Sequence, residues 1–183
     1  MMKLIERVKA ILLTPRTEWP VIGRERATMA GLFIKYVAIL AAIPEIAHLI
    51  GQAFVFEAHI PIESALVRAI VSYAVTLAMV YIIASVIDLL APRFGGRKDF
   101  ANALKVAVYC FTPYWVGGIF GLIAGTRFLA YVIALFGVYL LSLGLPRLMK
   151  SPPDRTTGYV AAVALCAIVI VGAITLIEVA FVA

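Results

Sequence analysis

Two patterns of apolar and polar positions follow one another along the chain. The opening stretch MMKLIERVKAILL sets Leu4, Ile5, Val8, Ile11 and Leu12 at helical spacing on one face, with Lys3, Glu6, Arg7 and Lys9 largely opposite. That is the pattern of an amphipathic helix lying in a membrane interface. Beyond it the apolar residues become continuous, over residues 31–54, 66–92, 100–124, 127–149 and 158–182. Each run reaches the roughly 20 residues that a helix needs to cross a bilayer. The alternation in about 10-residue pieces that marks a membrane β-barrel is missing. The pattern therefore predicts an all-α membrane protein: a segment over residues 1–30, then five transmembrane helices over 31–183. Thr28 and Asp99 stand where helix N-caps are expected, and Gly95-Gly96 and Pro152-Pro153 mark loops.

Composition sharpens this picture. Of 183 residues, 64% are hydrophobic and 14% charged, and the mean hydropathy is +1.05. Soluble domains use about 45–50% apolar and about 25% charged residues, so a soluble fold could not hide this surface. Cys110 and Cys166 both fall inside apolar runs and read as small packing residues. The opening stretch is interrupted by Glu6, Arg7 and Lys9, so it lacks the continuous apolar core of a cleavable signal peptide.

The net charge of +6 points to orientation and anionic lipid rather than nucleic acid, because the cations lie in short segments beside the spans. Lys3, Arg7, Lys9, Arg16, Arg24 and Arg26 precede the first span; Arg93, Arg97 and Lys98 follow the second; Arg147, Lys150 and Arg155 follow the fourth. The first loop has no Lys or Arg, and the third has only Arg127. With the basic segments inside, the N-terminus is expected to be cytoplasmic and the C-terminus outside.

The stretch LLTPRTEWPVIGRE (12–25) is expected to form a collar at the inner face. Pro15 suits the first position of a short helix. Trp19 is an interface anchor by type. Arg16, Arg24 and Arg26 would face anionic headgroups or a protein partner.

Ionisable groups inside spans are the natural functional suspects. Glu45 lies roughly 20 Å from the inner start of the first span, at ~1.5 Å per residue, and His48 is one turn further. Arg68 opens the second span and Glu178 lies near the outer end of the fifth, so all four share the outer half. Three readings are open: an ion pair of Glu45 with Arg68 beside a hydrogen-bonded His48, a solute or ion site, or a metal site. Glu57, His59 and Glu63 of the outer loop are further potential ligands, but EAHIPIE has no recognised metal spacing. At the inner side, snorkelling or pairing accounts for Lys35, Lys105 and Asp88.

The third span contains TPYWVGGIFGLIAG, in which Pro113 can kink the helix. Gly117, Gly121 and Gly125 recur at intervals of four, a spacing that lets helices approach closely within one chain or between two copies of a homodimer. Pro44 breaks the first span in the same way. Lys35 and Pro44 in the first span, Lys105 and Pro113 in the third, and the endings LLAPRF and LGLPRL of the second and fourth suggest a parallel two-helix repeat. No GxSxG, HExxH, phosphate loop or dinucleotide fingerprint occurs. No enzyme, cofactor or metal is expected.

The collar sequence, through Pro15, Trp19 and Ile22, resembles the Pro-x-x-x-Trp-x-x-Ile opening of bacterial members of the Yip family (Ypt/Rab-interacting proteins). CFTPYWVGGIFG (110–121) resembles that family's proline-containing span. The resemblance implies a helical integral membrane domain with a cytoplasmic N-terminus and five spans. Eukaryotic relatives are associated with Rab GTPases and vesicle traffic. This chain departs from them in its short N-terminal segment and in lacking their Leu-Tyr-Gly-Pro-type motif, so the resemblance speaks to fold and membrane location and not to a reaction. The expectation is a bacterial-type inner-membrane protein that organises partner proteins or lipids; the alternative is a small-solute, ion or lipid transporter or channel using the outer-half polar cluster.

Overall fold

The computed structural model describes residues 3–25, 28–51, 62–123, 125–126 and 128–182, with side chains for all of these except Ile62, Thr175 and residues 177–182. Two short helices, α1 (Leu4–Leu13) and α2 (Pro15–Arg24), precede five membrane-length segments. The first consists of α3 (Met29–Leu32), a π-helical turn (Phe33–Val37) and α4 (Ala38–Ile50). The second is α5 (Ile62–Leu90) closed by a 3₁₀ turn (Ala91–Phe94); the third is α6 (Phe100–Gly117) closed by another (Gly118–Leu122). The fourth joins α7 (Phe128–Ala134), α8 (Phe136–Gly144) and a π-helical turn (Leu145–Met149), and the fifth is α9 (Pro153–Val182). Among the described residues there is no strand.

Local chemistry explains the boundaries. The Thr28 hydroxyl accepts from the Gly31 amide at 3.1 Å, and the Asp99 carboxylate accepts from the Asn102 amide at 3.0 Å, as N-caps should. Pro15 occupies the first turn of α2, where its missing N–H is no loss. The chain leaves the second and fourth spans through left-handed residues, Gly95 (φ +72°) and Lys150 (φ +59°). The ends that the sequence pairs as a repeat close differently, one as a 3₁₀ turn and one as a π turn.

The third span is the centre of the bundle. Its apolar window is 67% buried, against 17–33% in the other four. Side chains such as Ile70 on α5 and Leu165, Ile168 and Val169 on α9 face outward, as lipid requires.

The collar differs from its expected place. α2 packs on α8 and the π turn that follows it, and α1 packs on α6. Ile11, Trp19 and Ile22 are at most 1% exposed, so Trp19 belongs to the core and is no interface anchor. Burial also cuts across the apolar face read from α1. Arg7 is inside with Ile11, while Ile5 is 68% exposed. Tertiary packing, and not the helix's own polarity, decides which face turns inward.

The glycine stripe is likewise only partly as expected. Gly117 faces the Ala130 backbone and Ile133 of α7, and Gly121 faces Ala47 and His48 of α4, so both serve contacts within the chain. Gly125 lies beyond the end of the helical segment at φ +78°, and a Cβ there would meet nothing within 4 Å. It is a turn residue and no part of a packing stripe. The tighter approaches are elsewhere. A Cβ on Gly118 would stand 2.5 Å from the Pro44 Cβ, and one on Gly137 would stand 2.6 Å from the Cys110 carbonyl oxygen.

Candidate functional site

At the end of the bundle that carries α1 and α2, a buried polar cluster clamps the collar to the spans. Glu18, Ile22 and Glu25 stand at i, i+4 and i+7, one face of α2 and its end. That face turns inward with Ile22. Arg7 from α1 reaches across and donates to both the Glu18 and the Glu25 carboxylates. Its guanidinium also lies 6.0 Å from the centre of the Tyr109 ring, within range of a cation–π attraction. From α6, Lys105 Nζ donates to the carbonyls of Ile22 (3.2 Å) and Glu25 (2.8 Å). Those carbonyls belong to the unsatisfied end of α2, where the helix dipole also favours a cation. Two cations thus offset two carboxylates. Lys105 does not snorkel outward.

Aromatic packing continues the clamp inward. Trp19 meets Tyr109 edge-on at 6.1 Å, Tyr109 meets Tyr36 at 5.0 Å, and the Tyr36 hydroxyl lies 2.9 Å from the Thr112 hydroxyl. The floor under Trp19 is Gly144: a Cβ there would come within 2.7 Å of the ring.

The other residues of the expected collar surface separate by position. Pro15 and Ile22 are buried with Trp19. Arg16 is exposed, and its Nε donates to the Tyr139 hydroxyl at 3.3 Å. Arg24 is exposed beside a cleft. Arg26 lies outside the described residues.

At the opposite end, Glu45 and His48 do come together. They line a pocket of about 40 Å³ with Pro44, Tyr114, Gly118 and Tyr131. A carboxylate, an imidazole and two phenols can hold and pass protons, and the space admits a water or two but no solute. Arg68, on α5, is not part of this lining. The Glu178 side chain, Glu57 and His59 lie outside the described side chains. Among the described residues, no three His, Cys, Asp or Glu side chains converge as metal ligands. Pro113 is buried inside α6.

Sequence reasoning passed over Glu18, Glu25, Tyr36, Tyr109, Gly118, Gly137 and Gly144. One signal was available: Glu18 and Glu25 share a helical face with Ile22, so burying one draws in the others. The glycines gave none, because their partners are distant in the sequence.

Residues 9–174 match the Yip1 domain family. The inner membrane protein YohC of Escherichia coli K12 is 31% identical over 146 residues, covering 74% of this chain and 75% of its own length. YohC of the Escherichia coli O6:H1 strain CFT073 matches to the same extent. No solved structure matches the chain.

Proposed function

The chain belongs to the Yip1 domain family, and from that premise we propose that it is a non-enzymatic organiser of its membrane, holding partner proteins or lipids on the face that carries the collar. It is a multi-pass inner-membrane protein. In this reading the collar end is cytoplasmic, in line with the Lys and Arg distribution. The observation that carries the proposal is the clamp: Arg7, Glu18 and Lys105 are each less than 8% exposed, and Trp19 is wholly buried. A buried ion-pair network is weak as a source of stability, and in this reading its role is to fix one arrangement of the collar against others. The polar end is therefore a rigid platform with its remaining cations turned outward, the form a docking surface needs. The sequence also carries no catalytic motif of the kinds named above.

A second reading is transport of a proton or small ion through the Glu45–His48 pocket, favoured by the convergence of those groups with Tyr114 and Tyr131. The volume of about 40 Å³ speaks against a larger solute.

Native mass spectrometry of the protein released from nanodiscs tests the choice. Stoichiometric retention of a partner protein or of particular lipids, lost when Gly144→Val displaces the collar, supports the organiser. A bare protein, combined with ion flux in proteoliposomes that Glu45→Gln abolishes, supports transport instead.

A further inference from the structure

We propose that a cleft beside the clamp is a binding site for a phosphate group, an inference that rests on the collar being a fixed platform. The cleft has a volume of about 280 Å³ and lies where α2, the start of α6 and the end of the fourth span meet. That is near the lower end of the roughly 300–1,000 Å³ typical of ligand pockets, the scale of a headgroup and more than a bare ion needs.

Its lining is one-signed. Arg24 of α2 and Arg147 and Lys150 of the fourth span's end face it, and no carboxylate lines it. Among the described residues, none of these three cations makes a hydrogen bond or an ion pair. This sets them apart from Arg7 and Lys105, whose charges are consumed by the clamp. The nearby Asp99 carboxylate is itself engaged, accepting from the amide N–H and the Nδ2 of Asn102, a lining residue. Asn102 stands in the first turn of α6, the end of a helix that favours anions.

Trp19 backs the cleft but is wholly buried, so it can report on the cleft without touching what binds there. Phosphate offers several acceptor oxygens, and guanidinium groups match its geometry in pairs. Lys150 adds a smaller sign: it keeps a charged side chain at a left-handed position where glycine is the usual residue. The cleft sits at the end of the spans, where the organiser reading places the inner headgroups, so the phosphate can come from an anionic phospholipid or from a soluble phosphate compound.

Two arms separate these sources. In the first, the full-length protein is released from nanodiscs of mixed phosphatidylglycerol and phosphatidylcholine, and retained lipid is weighed by native mass spectrometry. In the second, inorganic phosphate and glycerol 3-phosphate are titrated into the Trp115→Phe variant in neutral detergent, leaving Trp19 as the only tryptophan fluorophore. Arg24→Gln, Arg147→Gln and Lys150→Gln should each weaken binding about fivefold. Lys9→Gln and Arg93→Gln remove the same charge away from the lining and should leave binding unchanged. Retained phosphatidylglycerol with a flat titration assigns the site to lipid, and a saturable fluorescence change assigns it to a soluble phosphate. Phosphatidylcholine carries the same phosphodiester, but its choline cation is repelled by a lining of three cations and no carboxylate, so equal retention of both lipids with a flat titration overturns the site, as do equal losses in the two control variants. Loss of phosphate binding while partner proteins stay bound sinks the site alone. Phosphate binding without any partner or lipid organised by the collar sinks the organiser reading alone.

Discussion

Gly144 lies directly beneath the Trp19 indole: a Cβ built on it would stand 2.7 Å from Cη2 and 2.8 Å from Cζ2 of the ring. Tyr109 packs edge-on against the same ring, with 6.1 Å between ring centres, and the ring is wholly buried. A single hydrogen at residue 144 is therefore the condition for α2 to dock on α8. Gly144→Ala should destabilise the protein by about 1–3 kcal/mol through overpacking, and Trp19→Ala by about 3–5 kcal/mol through the cavity it leaves. In the double variant the clash has no partner, so the two losses should fall well short of additive. Thermal unfolding in detergent measures all three, and strict additivity would contradict the contact.

Arg7 is the only cation that donates to Glu18 among the described residues, and both are nearly buried. Arg7→Met leaves a carboxylate inside with no countercharge, so a loss of about 3–5 kcal/mol is expected. Arg7→Met combined with Glu18→Met removes both charges and should recover most of that loss. Equal destabilisation of the single and double variants would show that shape, and not charge, holds the collar.

Two glycines of the third span, and Gly125 just beyond it, should respond in a set order. A Cβ at Gly118 meets the Pro44 Cα and Cβ at 2.7 and 2.5 Å, a rigid target, whereas one at Gly121 has nothing nearer than 3.6 Å. Gly118→Ala should therefore cost at least about 1–3 kcal/mol by pushing α4 from the third span, and Gly121→Ala close to nothing. Gly125→Ala meets no atom and should cost about 1–2 kcal/mol from its left-handed backbone alone. Unfolding temperatures of the three variants give the order directly; a larger loss at Gly121 than at Gly118 would contradict it.

The Glu45–His48 pocket gives a functional prediction. Proteoliposomes holding the protein should show no proton or monovalent-cation flux above protein-free vesicles, and Glu45→Gln should leave that unchanged. A flux that disappears in Glu45→Gln would transfer the function to transport.

The legible part of this protein is the part written locally. The five spans follow from apolar runs whose length the bilayer sets, and Thr28 and Asp99 cap the helices they precede because capping needs only neighbours in sequence. The collar was legible as two helices but not in its placement. Trp19 is a residue that membrane interfaces favour, and only Gly144, more than a hundred positions later, gives it a place inside. Arg7 reads as a lipid-facing cation until α2 brings Glu18 and Glu25 against it. The GxxxG spacing identified close packing but chose the wrong third member, because the helix ends at Leu122 before Gly125 is reached. That Glu45 and His48 share one face was visible as one turn of helix, while Tyr114 and Tyr131 enter their pocket from other spans.

Hydrogen–deuterium exchange of the protein in nanodiscs tests the clamped collar most directly. The amides in the hydrogen-bonded turns of α1 and α2 should be protected to an extent comparable with the buried third span, and Gly144→Val should release them while leaving that span protected. Rapid exchange of both helices in the unmodified protein, indifferent to Gly144→Val, would mean that the collar rides loosely on the membrane surface, and the platform on which the proposed function rests would not exist.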